Sequence, residues 1–361
     1  MCLSYIDFMS KQFTVLNKKG DNEMEEYWLM DKDGHLRFDD RYVGPISLPE
    51  GTTDCSYMFE NCKIKQGCTF EDFDTSGVYD MTGMFSNCVL PNDFSLGDKF
   101  FTDNVLDMRS MFAYCKMGHN FSLGQNFDTG RVKDMSYMFA CCEMPEWFNL
   151  SIRFFTKNVK TMAHMFEGCK FSDNFRLHDC FNTMNVESMA CMFAYCHLKN
   201  PITVSTHCIH TNNCVNLASM FESATIDFDL NQCFDFDTSE CTNMVSMFRN
   251  AKFSGVVVLP PRFDTSNVQI MDSMFEGADL SQFKEFPVNF TMKNVKSAVG
   301  MFADCNIGSG IPVKGSLDIS NVRNIQYMFA GANFTGNYDE DCKPIYTALY
   351  EYIRRLTEEE D

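Results

Sequence analysis

The sequence has few tryptophans, few prolines and few basic residues for its length. Its 361 residues include 2 Trp and 10 Pro, and 30 Lys and Arg oppose 49 Asp and Glu, which gives a formal charge of −19. A chain this acidic is poorly suited to a nucleic acid, whose phosphates attract Lys and Arg, or to an anionic membrane surface. We therefore expect no nucleic acid as a partner, and we interpret the charge as a source of solubility.

Membrane-spanning and secretory segments are also missing. No apolar run is long enough to cross a bilayer. The first residues, Met1 to Phe8, contain neither a basic leader nor an apolar stretch of signal-peptide length. We expect no membrane insertion and a cytoplasmic location, including a virion assembled in the cytoplasm. The alternative is the cell surface.

Recognisable catalytic motifs are absent as well. The sequence has no phosphate-binding Walker loop, no dinucleotide-binding glycine pattern and no nucleophile elbow. We therefore expect a protein that is not an enzyme. We predict no catalytic residues, no cofactor and no small-molecule substrate.

What the sequence has instead is a repeat built on the dipeptide Met-Phe. Eight of the ten intervals between copies are 27 residues, one is 26 and one is 28. The eleven copies are Met58-Phe59, Met84-Phe85, Met111-Phe112, Met138-Phe139, Met165-Phe166, Met192-Phe193, Met220-Phe221, Met247-Phe248, Met274-Phe275, Met301-Phe302 and Met328-Phe329. A fixed period of this size indicates supersecondary units stacked on one another.

Each repeat carries the pattern of a short helix and a short strand. Val132, Met135, Met138, Phe139 and Cys142 follow steps of 3, 3, 1 and 3, which predicts one apolar face of a helix. A Thr three residues before the Val position predicts an N-cap, and an Asn directly before that position is expected to bridge neighbouring repeats. Alternating triplets predict the strand; they are residues 94–96, 121–123, 148–150, 175–177 and 202–204.

These patterns predict an α/β repeat solenoid of about 11 rungs of 27 residues, with a short parallel strand and a short helix in each rung and a cap at both ends. Residues 1–50 are the expected N-terminal cap of short strands, residues 51–334 the eleven-repeat solenoid, and residues 335–361 the C-terminal helical cap. In the first cap, strands are predicted around Phe13 and Val15, at 27–30 and at 36–38, with a turn at 31–34. Pro344, Ile345, Leu349, Ile353 and Leu356 mark the closing helix.

The 18 cysteines follow the repeat. Seven copies place Cys four residues after the Met of the pair and four copies place Ala there, so the position requires a small apolar side chain. We expect reduced thiols. The alternative is a ladder of disulfides between neighbouring repeats.

Two possible metal sites compete with structural interpretations. Cys196, His197, His207, Cys208, His210 and Cys214 supply zinc-type ligands, but Cys196 and Cys214 occupy apolar core positions that point away from the histidines. The Asp residues of the Phe-Asp-Thr turns form a row that other residues interrupt, so we interpret them as turn residues. His119 and His164 are interpreted as ordinary surface or loop residues. We therefore predict no metal ligands. The alternatives considered are zinc in the Cys196–Cys214 region and calcium along the row of turn Asp residues, and zinc is the one kept open.

The segment Phe263-Asp264-Thr265-Ser266-Asn267-Val268, followed by Met271, Met274 and Phe275, resembles the repeat of BspA-type surface proteins. Residues 236–239 and 317–322 match the same pattern. The resemblance implies a leucine-rich-repeat-like solenoid and non-enzymatic binding, and members occur on bacterial surfaces, in large DNA viruses and in protists. This chain differs from the bacterial surface form in its missing export signal and wall anchor and in its many cysteines.

The expected function is therefore a non-enzymatic repeat scaffold whose partners are other protein subunits. The specific expectation is a structural component of a larger assembly, such as a minor capsid protein of a large DNA virus. The alternative is a surface adhesion or ligand-binding module of the BspA type, for which exposed aromatic residues should concentrate on the strand face.

Overall fold

Backbone pairing links each repeat to the next. The computed structural model describes residues 27–203, 209–308, 313–334 and 343–358. Ten parallel bridges join single residues one repeat apart. They connect, in order, Asp54, Asp80, Asp107, Asp134, Thr161, Ser188, Asn216, Asn243, Ile270, Ser297 and Asn324. Each repeat therefore lies in register against its neighbour, and we call one repeat a rung.

Regular strands are short. An antiparallel hairpin, β1 (Trp28–Met30) and β2 (Leu36–Phe38), precedes the repeats. The other strands are β3 (His197–Leu198), β4 (Ile209–His210), β5 (Thr225–Ile226), β6 (Phe234–Asp235), β7 (Lys252–Phe253), β8 (Asn306–Gly308) and β9 (Asn333–Phe334). Parallel pairs join β3 to β5, β5 to β7, β4 to β6 and β8 to β9. Two 3₁₀ turns, Leu230–Gln232 and Leu280–Gln282, and one helix, α1 (Lys343–Glu358), complete the described elements.

None of the described residues of the predicted strand triplets lies in a regular strand, and four of the five triplets pair only through single residues. Ser95 bridges Ser122 and Leu177 bridges Thr203, in both cases in parallel. Val204, the last residue of the predicted triplets, lies outside the described residues.

The helix predicted in each rung does not form. In the rung of Met138, the N–H of Met138 donates to Met135 O at 3.1 Å and the N–H of Cys142 donates to Phe139 O at 3.2 Å, which closes two consecutive four-residue turns. The third residue of each turn, Tyr137 and Cys141, has φ of 60° and 56°. A right-handed helix excludes such φ values, and a β-turn of this kind requires one. Two such turns produce the same apolar spacing as a helix.

The backbone N–H groups of alternate residues in this segment donate to the next rung and do not close a helix. Tyr137 N–H donates to Ala163 O at 2.9 Å, Phe139 N–H to Met165 O at 3.0 Å, and Cys141 N–H to Glu167 O at 2.6 Å. Buried backbone groups need partners, and the neighbouring rung supplies acceptors for donors that a helix would have bonded internally.

The Thr residues predicted as N-caps have a different role. Thr129 Oγ1 donates to the carbonyl oxygen of Phe155 in the next rung at 2.8 Å, and Thr129 is fully buried. The same kind of bond recurs with a donor–acceptor distance of 2.6 to 2.9 Å and an acceptor 26 or 27 residues later in the sequence. It is made by Thr75, Thr102, Thr129, Thr156, Thr183, Thr211, Thr238 and Thr265. With no helix to cap, the hydroxyl joins neighbouring rungs.

The bridging role predicted for the seven Asn residues is confirmed for six of them. Asn158 Nδ2 donates to Gly130 O at 2.7 Å, one rung earlier. Equivalent bonds to the preceding rung are made by Asn104, Asn185, Asn213, Asn267 and Asn294. Polar links therefore run in both directions from each rung, since Thr donates forward and Asn donates backward.

The core is a column of stacked phenylalanine rings. The Phe rings of the eleven Met-Phe pairs lie 5.1 to 6.0 Å apart by centroid, and neighbouring planes differ by at most 14°. All eleven Phe side chains and their Met neighbours are buried. Burial of a Phe or Met side chain contributes about 1.5–3 kcal/mol, and offset stacking adds to that.

The hairpin of β1 and β2 packs on the first rung. Trp28 and Phe38 of the hairpin pack on Phe59 of the first rung at centroid distances of 5.8 and 5.0 Å. The predicted turn at 31–34 and the two flanking strands are confirmed, whereas Phe13 and Val15 lie outside the described residues.

The closing helix α1 packs on the last rung. Tyr352 of α1 contacts the Phe329 ring at 5.8 Å. Arg355 Nη1 and Nη2 donate to the carbonyl oxygens of Ile319 and Val322 at 3.1 and 2.8 Å. The predicted apolar face is only partly correct, since Ile345 is buried while Ile353 and Leu356 are exposed.

Candidate functional site

The paired turns of successive rungs line up into one surface. We call it the turn face, and its two rows are the residue directly before each Met-Phe Met and the residue three positions after it. All 22 residues have φ between 53° and 70°. The first row is Tyr57, Gly83, Ser110, Tyr137, His164, Cys191, Ser219, Ser246, Ser273, Gly300 and Tyr327; the second is Asn61, Asn87, Tyr114, Cys141, Gly168, Tyr195, Ser223, Asn250, Gly277, Asp304 and Gly331. Except for Ser246, every residue of the two rows that has a side chain is partly or fully exposed.

Exposed tyrosines concentrate on the turn face. Tyr57, Tyr114, Tyr137, Tyr195 and Tyr327 are 37 to 67% exposed. They belong to rungs spread from the first Met-Phe pair to the last. A tyrosine combines a large apolar ring with a hydroxyl, and such residues are enriched where proteins contact one another.

Charged residues lie between the two rows. Arg249 is flanked by Glu222 and Glu276 of the neighbouring rungs, with nitrogen–oxygen distances of 3.8 and 2.8 Å. Glu60 and Glu167 occupy the equivalent position in other rungs, where Ala stands in five copies. The turn face therefore presents aromatic and acidic groups together.

One group of titratable side chains on the turn face is unusually close. The imidazole of His164 lies flat on the ring of Tyr137, with centroids 4.2 Å apart and planes 5° from parallel. His164 Nδ1 is 2.8 Å from Glu167 Oε2 in the same rung. Cys191 occupies the equivalent position in the next rung, and its thiol interacts with the same imidazole. We call Tyr137, His164, Glu167 and Cys191 the thiol–imidazole cluster.

The cluster changes the proton affinity of the imidazole. Burial by itself lowers the pKa of His164, but hydrogen bonds with the Cys191 thiol and the Glu167 carboxylate outweigh burial and raise the pKa to about 9. At neutral pH the imidazole is therefore protonated. Because the imidazolium is held by a carboxylate and lies beside a thiol, the arrangement suits nucleophilic chemistry at sulfur.

His164 lies in a turn, which agrees with its interpretation as a surface or loop residue, but its surroundings are not those of an ordinary surface residue. Its side chain is 25% exposed and has aromatic, acidic and thiol neighbours. The sequence carried one signal for this: Tyr137, His164 and Cys191 are each the residue before a Met-Phe pair. A helix would have separated these positions, so the signal could be used only with the correct local structure. His119, in contrast, is exposed as expected.

The residues considered for zinc point in different directions. Cys196 Sγ donates to Phe166 O at 3.0 Å in the interior. The neighbouring His197 lies outside, with Nε2 2.7 Å from Asp227 Oδ2, and His210 pairs with Asp235 at 3.4 Å. Over the described ranges, no three His, Cys, Asp or Glu residues are grouped so as to hold a metal ion. His207 and Cys208 lie outside those ranges.

The Asp residues of the Phe-Asp-Thr turns accept hydrogen bonds within their own turns, and Asp128 and Asp237 also pair with Arg153 and Arg262 of the next rung. Asp128 Oδ1 accepts the N–H of Gly130 at 2.8 Å, and Asp264 Oδ1 accepts the N–H of Ser266 at 2.7 Å. These local bonds fit the interpretation of the residues as turn residues.

Cysteines of the repeat position do more than fill space. Cys142 Sγ lies 2.9 Å from the carbonyl oxygen of Phe112 in the preceding rung and donates to it. The same bond, 2.6 to 3.0 Å long, is made by Cys88, Cys115, Cys142, Cys169, Cys196 and Cys305. Burial raises the pKa of the Cys142 and Cys169 thiols. No disulfide joins the cysteines of the described ranges.

The helices of the described residues include none that is long and apolar enough to cross a membrane.

Comparison with known proteins gives a family without an assigned role. The model of a family described as "Mycoplasma protein of unknown function, DUF285" matches residues 53–174, 117–226 and 215–340. Together these matches cover the repeats from residue 53 to residue 340. No curated protein and no solved structure matches the chain.

Proposed function

Because this chain belongs to the DUF285 family of repeat proteins, we propose that it is a non-enzymatic scaffold that binds other protein subunits through its turn face. The scaffold is a solenoid of the leucine-rich-repeat-like, BspA type, in which successive rungs add surface without adding new domains. It needs no cofactor and takes no small-molecule substrate, and its partners are proteins and not nucleic acids.

The observation that carries this proposal is the row of exposed tyrosines. Interface cores are enriched in Tyr, and a few such residues usually supply most of the binding energy. All five tyrosines are exposed, and Tyr114, Tyr137 and Tyr195 lie in rungs whose backbones are hydrogen-bonded to the rungs on both sides. Side chains on such a backbone lose little freedom on binding, which lowers the cost of association.

The more specific proposal is a structural component of a larger assembly, such as a minor capsid protein of a large DNA virus that assembles in the cytoplasm. Buried thiols that donate hydrogen bonds suit a reducing compartment. Covered ends suit a unit that contacts partners through its sides. The viral context itself rests on the sequence resemblance.

A second candidate is an adhesion or ligand-binding module at the cell surface. Adhesion was expected to place exposed aromatic residues on the strand face, whereas five exposed tyrosines lie on the turn face, so this candidate rests on the sequence resemblance. Adhesion and assembly differ in where the protein is found. Recovery in particles or large complexes after cell fractionation supports assembly, and recovery at the cell exterior supports adhesion.

The test of the turn face is a variant that removes two of its tyrosines. Tyr114→Ala with Tyr195→Ala should abolish co-purification of partner subunits from the source cells while leaving the melting temperature nearly unchanged. The matched control is Tyr350→Ala on α1, because Tyr350 is 68% exposed and lies away from the turn face. Loss of partners in the control, or their retention in the double variant, would contradict the proposal.

A further inference from the structure

The thiol–imidazole cluster has no role in the proposed scaffold, and it is the chemically most distinctive group among the described residues. We propose that Cys191 is a modification site at which a hydroperoxide oxidises the thiol to a sulfenic acid, with His164 as the proton donor. The proposal does not depend on the scaffold function, since it concerns the chemistry of one rung pair.

Geometry supplies the first part of the argument. Tyr137, His164 and Cys191 follow one another along the first row of the turn face, one rung apart. Tyr137 covers one face of the imidazole at 4.2 Å and Glu167 holds Nδ1 at 2.8 Å. The ring is therefore fixed by two neighbours while it interacts with the thiol of the third.

Access supplies the second part. Cys191 is only partly buried, whereas the cysteines of the repeat position are buried. Two other described cysteines, Cys141 and Cys180, are partly buried in the same way. Three described cysteines are therefore partly open to a reagent in solution, and the His164 imidazole lies beside Cys191.

Charge supplies the third part. The groups that face His164 are Tyr137 from the preceding rung, Glu167 from its own rung and Cys191 from the following rung. Tyr195 is near enough to Cys191 and Glu167 to interact with both electrostatically. Hydrogen bonds with Cys191 and Glu167 outweigh burial and raise the pKa of His164 to about 9, so a proton is present on the ring at neutral pH. A protonated imidazole beside the sulfur can donate its proton to the oxygen that leaves the peroxide.

The reaction balances with a hydroperoxide as the only added reagent. The thiol first releases its proton to solvent. The thiolate sulfur of Cys191 then attacks one peroxide oxygen, the sulfur–oxygen bond forms, and the oxygen–oxygen bond breaks. Sulfur loses two electrons and the peroxide gains them. The departing oxygen, which is hydroxide for hydrogen peroxide and alkoxide for an organic hydroperoxide, takes the proton from the His164 imidazolium and leaves as water or an alcohol, and the ring regains a proton from solvent.

The test uses the full-length protein, reduced and then exposed to hydrogen peroxide at pH 7 with a sulfenic-acid trapping reagent. Peptide mapping follows each cysteine separately. Cys191 should be trapped at least about ten-fold faster than Cys180, which has comparable access but no imidazole partner. His164→Gln should bring Cys191 to the rate of Cys180, and His119→Gln, at an exposed histidine elsewhere, should change nothing.

A second readout needs no variant. In the wild-type protein the rate advantage of Cys191 over Cys180 should be full at pH 7 and should disappear as the pH rises through about 9, where His164 loses its proton. A structural role of His164 would not produce this profile. Equal rates for Cys191 and Cys180 at pH 7, or an advantage that persists above pH 9, would overturn the proposal.

Discussion

Thr129 donates its side-chain hydroxyl to the main-chain carbonyl of Phe155, at 2.8 Å, across the boundary between two rungs. The donor is fully buried. Because the donor and the acceptor lie in different rungs, removing this bond tests how much it contributes to the stability of the boundary between them.

Replacement of this threonine by its isostere should loosen the boundary. Thr129→Val keeps the shape but leaves the Phe155 carbonyl without its donor, at a cost of about 1–3 kcal/mol. Urea unfolding of the full chain measures the change. Thr129→Ser retains the hydroxyl and should cost much less; equal losses for Val and Ser would mean that the methyl group, not the hydrogen bond, matters.

Glycine and alanine exchanges distinguish the paired turns from a helix. Gly277 has φ of 68°, and an added Cβ would lie 2.2 Å from Asn250 Oδ1. Gly277→Ala should therefore destabilise the protein by about 1–2 kcal/mol, whereas in a helix the same change would stabilise it by about 1 kcal/mol.

The reverse exchange provides the control. Ser223 has φ of 55°, so Ser223→Gly should relieve strain and stabilise the protein by up to about 1 kcal/mol. Thermal melts of both variants give the two signs. If Gly277→Ala raised the stability of the protein and Ser223→Gly lowered it, the result would support a helix in each rung and not paired turns.

The Phe column should not tolerate charge. Phe166 is fully buried between Phe139 and Phe193, at 5.9 and 5.8 Å. Phe166→Asp removes a packed ring, for which truncation alone costs about 3–5 kcal/mol, and adds the desolvation of a carboxylate. Hydrogen exchange should show the opening centred on this rung. Phe155→Asp is the control, since Phe155 is 41% exposed; a wild-type melt for Phe166→Asp would refute the buried column.

Acid should weaken the N-terminal hairpin at a defined pH. The Asp31 carboxyl is 4% exposed, and although burial raises its pKa, hydrogen bonds from the His35 N–H and the Arg37 guanidinium outweigh burial and lower the pKa to about 2. A lowered folded-state pKa gives stability that is present above the unfolded value of 3.8 and is lost as the pH falls through about 2.

Tryptophan fluorescence can follow this loss. Trp28 is buried beside the hairpin core, and the other tryptophan, Trp147, is 69% exposed. In a Trp147→Phe background the signal of Trp28 should change between about pH 4 and pH 2. Asp31→Asn should remove the pH dependence in that window; a transition of unchanged size in this variant would assign it to another group.

The thiols should be reduced throughout. Titration of the denatured protein without reductant should give 18 thiols, the number in the sequence. Burial raises the pKa of Cys62, Cys214 and Cys305 to about 12, which protects them in the folded state. A markedly lower count would favour the disulfide ladder.

Particular residues show where sequence reasoning succeeded. The Asn158 bridge and the hairpin around residues 31–34 could be predicted, because each depends on a local propensity or on repetition. The direction of the Thr129 hydrogen bond and the residues that contact His164 could not be predicted. The Thr129 acceptor, Phe155, and the ring stacked on His164, Tyr137, both belong to other rungs. A periodic sequence identifies equivalent positions without giving the path of the chain between them.

The sequence by itself determined the period, the inward-facing Met and Phe positions and the requirement for a small residue at Cys142, because burial repeats wherever the chain repeats. Only the tertiary structure decided between a helix and two turns. The apolar spacing from Val132 to Cys142 fits both. The choice depends on whether N–H groups such as that of Phe139 bond within the segment or to Met165 of the next rung. That acceptor exists only when the rungs are stacked, so the stack selects the turns and places Tyr137, His164 and Cys191 side by side.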